Sequence, residues 1–214
     1  MTENPKNPAG IGVEYEATFT GIDKDDVRGR LRASGAELVR PEFLQKRVVF
    51  NLPKGHEIPG AWLRVRDEGD KITMSLKIVD GKKIEDQKEL CLKIDDFEAG
   101  RTLLLALGAE EKAYQETKRE VWRLRDTEIT IDEWPFLEPF IEIEGGSERA
   151  VRDVAETLKF SWPKARFCHV GTLYAEKYDF PEEHFNNETP RIVFGMKTLF
   201  CISCSKGWER RKRR

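Results

Sequence analysis

The chain has 214 residues, of which 39% are hydrophobic and 36% charged, and its formal net charge is −2. This length suits one domain or one domain with an appendage, and the charged share exceeds the roughly 25% of a typical soluble domain. The first ten residues hold no apolar stretch, the longest apolar run is too short to cross a bilayer, and four cysteines do not indicate a disulfide framework. We therefore expect a cytoplasmic protein with reduced thiols and no membrane partner.

The first elements in chain order are a short polar segment, a strand and a helix. Residues 1–11 contain two prolines and are predicted to be a flexible N-terminus. Alternation of apolar and polar side chains in VEYEATF predicts a strand. Asp23 and Gly35 are residue types that begin and end helices, so a helix is predicted between them.

The rest of the pattern is dominated by strands joined by tight turns. Two further helices are predicted, one within 95–108 and one that begins after Ser147. The fold class is therefore α+β, with an antiparallel β-barrel of eight strands and helices packed on its outside. The strands are predicted at 13–19, 42–50, 61–67, 71–79, 86–94, 114–124, 127–133 and 139–145.

Like charges repeat at every second position in three of these strands, with apolar residues between them. The pairs are Glu14 and Glu16, Arg64 and Arg66, and Glu142 and Glu144. One interpretation is an ordinary sheet whose charged face meets water. The other is a barrel whose charged face lines a lumen, where carboxylate pairs would bind Mg²⁺ or Mn²⁺ and arginine pairs would bind phosphate.

Five short motifs resemble those of the CYTH superfamily, the triphosphate tunnel metalloenzymes. VEYEATF resembles its Glu-x-Glu-x-Lys signature, and WLRVRDEGDKITMSLK resembles its Leu-Arg-x-Arg strand followed by a strand that ends in lysine. KELCLKIDDFEAGRTLLLALG, KREVWRLRDTEITIDEWPFLEPFIEIEG and TLYAEKY resemble the middle, the closing hairpin and the C-terminal tyrosine segment of the family. The resemblance runs from about residue 11 to 179, so a CYTH domain is expected at 12–179.

The resemblance implies an eight-stranded tunnel and assigns roles to the inward-facing residues. The implied metal ligands for Mg²⁺ or Mn²⁺ are Glu14, Glu16, Asp132, Glu142 and Glu144. The implied phosphate-binding residues are Arg47, Arg64, Arg66, Lys77 and Arg119. Catalysis would rest on Glu14, Glu16, Arg64, Arg66 and Lys77, and Glu89 is expected at a further acidic position of the lumen.

The chain departs from the family pattern at four positions of the expected lumen. Thr18 replaces the signature lysine, and Thr117 stands where a lysine is common. Gln87 and Cys91 stand where the family often has an arginine and a second glutamate. Because phosphate chemistry depends on charge stabilisation, these losses of positive charge predict a slow enzyme.

Residues 180–214 lie outside the resemblance and are predicted to form a C-terminal tail of unassigned role that is not needed for folding. The spacing of Cys201 and Cys204 would suit zinc, but no second pair lies nearby, and free thiols are expected. The last nine residues carry six basic and one acidic residue, so residues 1–205 carry −7. A short basic end of this kind is expected to be solvated, and nucleic acid is not an expected partner.

Three functional hypotheses follow. The first is a divalent-metal-dependent phosphohydrolase that acts on the triphosphate chain of an organic or inorganic triphosphate. The second is a class IV adenylyl cyclase that makes cyclic AMP from ATP, and the third is a module that binds polyphosphate or nucleotide without turnover. The expected partner is a small-molecule triphosphate, and a homodimer is left open.

Overall fold

The computed structural model describes residues 11–199, and the molecule is built on one long antiparallel sheet. The strands are β1 Gly12–Val13, β2 Tyr15–Phe19, β3 Glu37–Asn51, β4 Ala61–Asp67, β5 Ile72–Val79, β6 Gln87–Ile94, β7 Glu110–Leu124, β8 Thr127–Glu133, β9 Phe140–Gly145 and β10 Arg191–Ile192. The helices are α1 Lys24–Ala33, α2 Phe97–Ala106, α3 Glu148–Thr157, α4 Val170–Tyr178 and α5 Glu182–Glu188. None of the helices in the described part of the chain is long and apolar enough to cross a membrane.

The sheet closes on itself at Glu14. Its strands lie in the order β1-β6-β5-β4-β3-β7-β8-β9-β2, and β1 and β2 are separated in sequence by Glu14 alone. Gly12 pairs with Glu89 of β6, and Glu16 pairs with Glu144 of β9. Counted as one interrupted strand, β1 and β2 complete an antiparallel barrel of eight strands, which confirms the predicted fold class.

Helices α1 and α3 cover the outside of the barrel, where the main hydrophobic core lies. Asp23 caps α1 by accepting hydrogen bonds from the amides of Asp25 and Asp26, as its sequence predicted. The core joins apolar residues of both helices to the outward side chains of β8 and β9. These buried residues include Val27, Leu31, Ile129, Ile131, Ile141, Ile143, Val151 and Val154.

Helix α2 covers a second part of the barrel, outside β3 and β4. Leu104 packs there with Val48, Phe50 and Val65. Gly100 permits the close approach, because a Cβ at this position would meet Ile94 Cδ1 at 2.4 Å. Apolar side chains thus face outward under the helices, which leaves the alternate, polar side chains of the strands for the lumen.

The chain beyond Asp179 packs on the barrel, contrary to the expectation of a separate tail. Phe185 and Leu199 are buried in a cluster with Trp134 and Tyr174. Ile192 is 0% exposed, and β10 adds to the sheet as a parallel partner of β7. Residues 1–10 and 200–214, which include Cys201 and Cys204, lie outside the described residues, so the predictions made for them stay predictions.

A chain truncated after Phe180 is therefore expected to be much less stable. Burying a large apolar side chain contributes about 1.5–3 kcal/mol, and at least three are lost, so we expect the free energy of unfolding to fall by about 5 kcal/mol. Thermal unfolding should show a melting temperature lower by about 10 °C or more. A chain truncated after Leu199 is the control, and equal melting temperatures for both truncations would contradict the expected loss.

Candidate active site

The inward face of the barrel encloses one charged cavity of about 370 Å³. Each of the three like-charge pairs found in the sequence lines it, so the lumen interpretation is confirmed over the solvated sheet. Of the predicted site residues, those on the cavity wall are Glu14, Glu16, Arg47, Arg64, Arg66, Lys77, Glu89, Arg119, Glu142 and Glu144. Asp132 is the exception, since it lies behind Arg119 with no exposed surface.

Three carboxylates meet on one side of the cavity. One oxygen each from Glu14, Glu16 and Glu144 lies within 4.8 Å of the others. The register of β2 and β9 causes this, because Glu16 is directly opposite Glu144, and Glu14 sits where β2 turns away toward β6. Such a set of convergent oxygen ligands fits a hard divalent cation.

Burial and mutual repulsion make the ionised form of these carboxylates costly. Burial, followed by the charges of Glu142 and Glu14, raises the pKa of Glu16 well above its usual value. Burial and the charge of Glu14 also raise the pKa of Glu144. A counter-charge placed among them would therefore be stabilised by the relief of repulsion.

The other two predicted metal ligands are engaged by Arg119. The guanidinium of Arg119 donates to both oxygens of Asp132 at 2.8 and 2.9 Å and to Glu142 at 2.6 Å. Although burial opposes it, the charges of Asp132 and Glu142 raise the pKa of Arg119 well above its usual value. Burial and the charge of Asp132 raise the pKa of Glu142 to about 7. Thr130 donates a further hydrogen bond to Asp132 at 2.7 Å, which fixes its orientation.

Lys77 and Glu89 connect the acidic side of the cavity to its basic side. The Lys77 ammonium lies 2.8 Å from Glu14 and 3.7 Å from Glu89, and Arg64 donates to Glu89 at 2.9 Å. Burial opposes the ionisation of Glu89, but Lys77 and Arg64 hold the pKa of its carboxyl below the usual range. These contacts between opposite charges hold each of the four side chains in a fixed position on the wall of the lumen.

Arg47 and Arg66 supply positive charge that is only partly compensated. Arg47 is held by neutral groups, since it donates to Gln45 at 2.8 Å and to Thr117 at 2.6 Å. Burial and the charges of Arg64 and Arg66 lower the pKa of Arg47 well below its usual value. The same effects of burial and Arg64 lower the pKa of Arg66 to about 10, while Glu68 at 2.6 Å opposes the shift.

The arginine cluster has unused hydrogen-bond donors. The Nε atoms of Arg47, Arg64 and Arg66 are buried and have no hydrogen-bond partner among the described residues. Buried donors without partners are costly, and guanidinium groups match phosphate oxygens in charge and geometry. This side of the cavity is therefore suited to a polyanion.

Three of the four departures from the family pattern, Thr18, Gln87 and Thr117, are buried, whereas Cys91 is exposed. Thr117 bonds to Arg47 and Gln45, and Gln87 donates to the carbonyl of Glu16 at 2.7 Å. Cys91 lies opposite Ser75 on the neighbouring strand. The neutral side chains of Thr117 and Gln87 thus make hydrogen bonds of their own, and the barrel forms here without a lysine or an arginine at these positions.

Thr18 allows a direct test of the predicted slow turnover. Thr18 is 3% exposed and lies opposite Glu142. Lys46 is exposed and Lys118 contacts Glu133 outside the lumen, so neither of these lysines lines the cavity as a substitute for the missing signature lysine. Loss of one donor from a preorganised site lowers kcat by about 10²–10³. The remaining cations of the cavity would offset part of this loss, so restoring the lysine in Thr18→Lys is expected to raise kcat about tenfold. Steady-state kinetics with Thr20→Lys as the exposed control measures this. Unchanged or lower turnover in Thr18→Lys would contradict the interpretation.

The cavity also has walls that sequence reasoning missed. Glu128 lines it and had a usable signal, since it shares the inward face of TEITIDE with Thr130 and Asp132. Seven further lining residues were also missed, one on β7 ahead of the strand predicted at 114–124 and six on or just before α4 and α5. These residues are Lys112, Cys168, His169, Val170, Glu183, Phe185 and Asn187.

His169, one of these residues, has a clear structural role. Its Nδ1 accepts a hydrogen bond from the Gly171 amide at 3.1 Å, and its Nε2 lies 2.5 Å from Glu182. Burial lowers the pKa of His169 in spite of Glu182, and the neutral ring satisfies both contacts. The histidine therefore fastens α5 to the start of α4.

Comparison with known proteins gives a consistent family assignment. A sequence model described as "CYTH domain" matches residues 22–165. A Methanocaldococcus jannaschii protein named as a candidate adenylate cyclase is 28% identical over 152 residues, which is 69% of this chain and 82% of the relative.

Solved structures share the fold at low sequence identity. A candidate adenylate cyclase from Vibrio parahaemolyticus superposes with a TM-score of 0.65 at 12% identity, covering 76% of this chain and 98% of that one. A candidate adenylyl cyclase from Hippeastrum, described as having a dominant triphosphatase activity, gives a TM-score of 0.51 at 16% identity over 80% of this chain and 98% of its own.

Proposed function

Because the chain belongs to the CYTH family, we propose that it is a divalent-metal-dependent phosphohydrolase that acts on the triphosphate chain of an organic or inorganic triphosphate. The observation that carries the proposal is the division of one cavity into two sides. Three convergent carboxylates lie on one side, and arginines with unused donors lie on the other. A phosphate chain with a bound cation is complementary to both sides at once.

The acidic side fits Mg²⁺ or Mn²⁺. Glu14, Glu16 and Glu144 would hold the ion, because hard cations prefer carboxylate oxygens and because the repulsion among these groups would be relieved. When bound, such an ion neutralises phosphate charge and makes a water molecule more acidic. Glu142 and Asp132 support this side indirectly, since both are bound by Arg119.

The basic side would hold the phosphate chain for an in-line attack by water. Arg47, Arg64 and Arg66 donate to its oxygens, and Lys77 adds a charge next to the carboxylates. The oxygen of water bonds to the terminal phosphorus, the bond to the bridging oxygen breaks, and its electron pair stays on the departing phosphate, which takes up the proton that the water loses, directly or through solvent. Charge that builds up on the departing oxygens is stabilised by the arginines, which are already in place.

Adenylyl cyclisation is the second candidate. The Methanocaldococcus jannaschii relative favours it, since that protein is named as a candidate cyclase. The same charged lumen would serve, but the ribose 3′-hydroxyl would attack the α-phosphate, and pyrophosphate would leave. Binding without turnover is the third candidate, motivated by the neutral residues Thr18 and Thr117.

One panel of assays separates the three. The chain is incubated with tripolyphosphate, ATP or thiamine triphosphate, with Mg²⁺, Mn²⁺ or a chelator, and released phosphate is measured while mass spectrometry follows cyclic AMP. The phosphohydrolase proposal expects metal-dependent phosphate release and no cyclic AMP. Cyclic AMP with pyrophosphate would favour the cyclase, and tight binding of a triphosphate without any product would favour the binding module.

A further inference from the structure

The segment that follows the family match forms part of the cavity wall. Residues 22–165 match the CYTH sequence model, while Glu183, Phe185 and Asn187 of α5 lie beyond this range and line the cavity. The wall at this end therefore belongs to a part of the chain that the family model does not cover.

A gap in the barrel explains why the segment is needed there. Strand β8 pairs with β7 only from Lys118 onward, so the part of β7 before it has no partner from β8. Strand β10 takes this place in parallel, with Arg191 opposite Tyr114 and Ile192 opposite Gln115. The Tyr114 amide also donates to the carbonyl of Pro190 at 3.0 Å. Residues 190–192 thus complete the barrel wall.

Helix α5 is held in place by polar and aromatic contacts with α4 and its N-cap residue His169. Glu182 accepts a hydrogen bond from Thr172 at 2.8 Å and contacts His169 at 2.5 Å. The ring of Phe185 stacks on that of Tyr174, with centroids 4.3 Å apart and 20° between the planes. A wall fixed by these contacts is preorganised, so a ligand that meets it would not have to order it first.

This end of the cavity combines aromatic surfaces with polar groups. Trp62 and Phe185 both line the cavity. The partly exposed indole of Trp62 meets the His169 ring edge-on at 5.8 Å, whereas Phe185 is 4% exposed and shows the cavity little more than its edge. Helix α5 adds the polar side chains of Glu183 and Asn187 to the lining of the same cavity, and Lys112 and His169 line it as well. An aromatic side chain beside polar groups is suited to bind a planar heterocyclic ring. The aromatic side chain stacks on the face of the ring, and amide and carboxylate groups form hydrogen bonds with its edge.

We propose that α5 is the specificity-determining wall of the site and that it selects triphosphates carrying a planar heterocyclic group over the inorganic triphosphate. The inference rests on the proposed function and adds a substrate class to it. In this arrangement the phosphate chain lies among the arginines, and the attached group lies on the indole of Trp62, beside the cavity-lining residues of α5.

The test compares two probes in four versions of the full chain. ATP and tripolyphosphate are the probes, and the versions are the parent, Phe185→Leu, Asn187→Ala and the control Glu188→Ala, which lies on the same helix away from the cavity. Both kcat/KM and calorimetric affinity are measured with Mn²⁺. Contacts in a specificity pocket change discrimination by 10- to 200-fold, so the preference for ATP over tripolyphosphate is expected to fall about tenfold in each cavity variant and to stay at the parent value in Glu188→Ala.

The outcomes keep the two proposals apart. A parent chain that uses or binds both probes, with the same preference in all four versions, overturns the role of α5 and leaves the proposed function standing. A parent that prefers tripolyphosphate also overturns it. A parent that neither binds nor converts either probe overturns the proposed function and this inference together.

Discussion

Replacing Glu16 by alanine is expected to lower kcat by about a thousandfold while leaving the protein folded. Glu16 is the central member of the carboxylate trio. Glu14 is two residues before it on the same face of the chain, and Glu144 is directly opposite it on the neighbouring strand. Charge stabilisation by a bound divalent ion contributes several kcal/mol to a phosphoryl-transfer barrier, and about 4 kcal/mol corresponds to a thousandfold in rate. Calorimetry should show that manganese binding is lost in parallel.

Stability should move in the opposite direction from activity. The raised pKa of Glu16 means that its ionised form is less favourable in the folded chain than in the unfolded one. At neutral pH, above the unfolded pKa, this carboxylate therefore costs the folded state free energy, and its removal should leave the metal-free melting temperature unchanged or higher. Glu128→Ala is the matched control, because Glu128 lines the cavity but stands outside the trio. Equal manganese affinity in parent and Glu16→Ala would refute the metal site.

Replacing Arg119 by methionine is expected to destabilise the fold by about 3 kcal/mol, or on the order of 10 °C in melting temperature. Asp132 has no exposed surface, and its two oxygens are paired with this guanidinium. Without it, a buried carboxylate remains uncompensated. Breaking a buried pair on one side costs far more than the pair contributes, because of that stranded charge.

A second substitution separates this effect from simple loss of packing. In the double variant Arg119→Met with Asp132→Asn, the stranded charge of Asp132 is gone and the acceptor for Thr130 is kept, while Glu142 loses its partner equally in both variants. We expect the double variant to melt well above the single one. Arg101→Ala, which removes an exposed arginine that pairs with Glu98 and Glu111, serves as the surface control and should change stability by less than 1 kcal/mol. A single and a double variant of equal stability would show that Asp132 does not depend on Arg119.

The barrel and its charged lumen were predictable because two-residue periodicity is a local signal. Alternate residues of a strand point to the same side of the sheet. The pairs Glu14 with Glu16 and Arg64 with Arg66 could therefore be assigned to one face of their strands before the strand order was known. Helix ends were equally local, as the Asp23 cap shows. The interruption of the first strand at Glu14 was not predictable, since it results from pairing with two distant strands.

The division of labour among the carboxylates was also beyond the sequence. Asp132 and Glu142 are also carboxylates at inward-facing positions of their strands, like the trio. Arg119, however, pairs with both of them. Arg119 lies directly opposite Asp132 on the neighbouring strand, and Glu142 is on the strand after that, so the pairing follows from strand order and register, which no spacing encodes. The packing of Phe185 and Ile192 was missed for a related reason, because short apolar segments outside a periodic pattern carry no sign of the surface that they cover.

The way β10 completes the wall has a consequence for protein synthesis. Residues 14–16 leave the ribosome early, but their sheet partners in β6 and β9 follow much later, and Ile192 is among the last described residues to emerge. Domains form during translation as their parts become available, so a nascent chain would carry an incompletely walled barrel until nearly all of these residues are made. A chain that terminates near Phe180 would contain the arginines and carboxylates of the cavity, but its barrel would lack the wall that α5 and β10 form. Such a fragment would expose the apolar surfaces of Trp134 and Tyr174 and so become a target for chaperones and proteases.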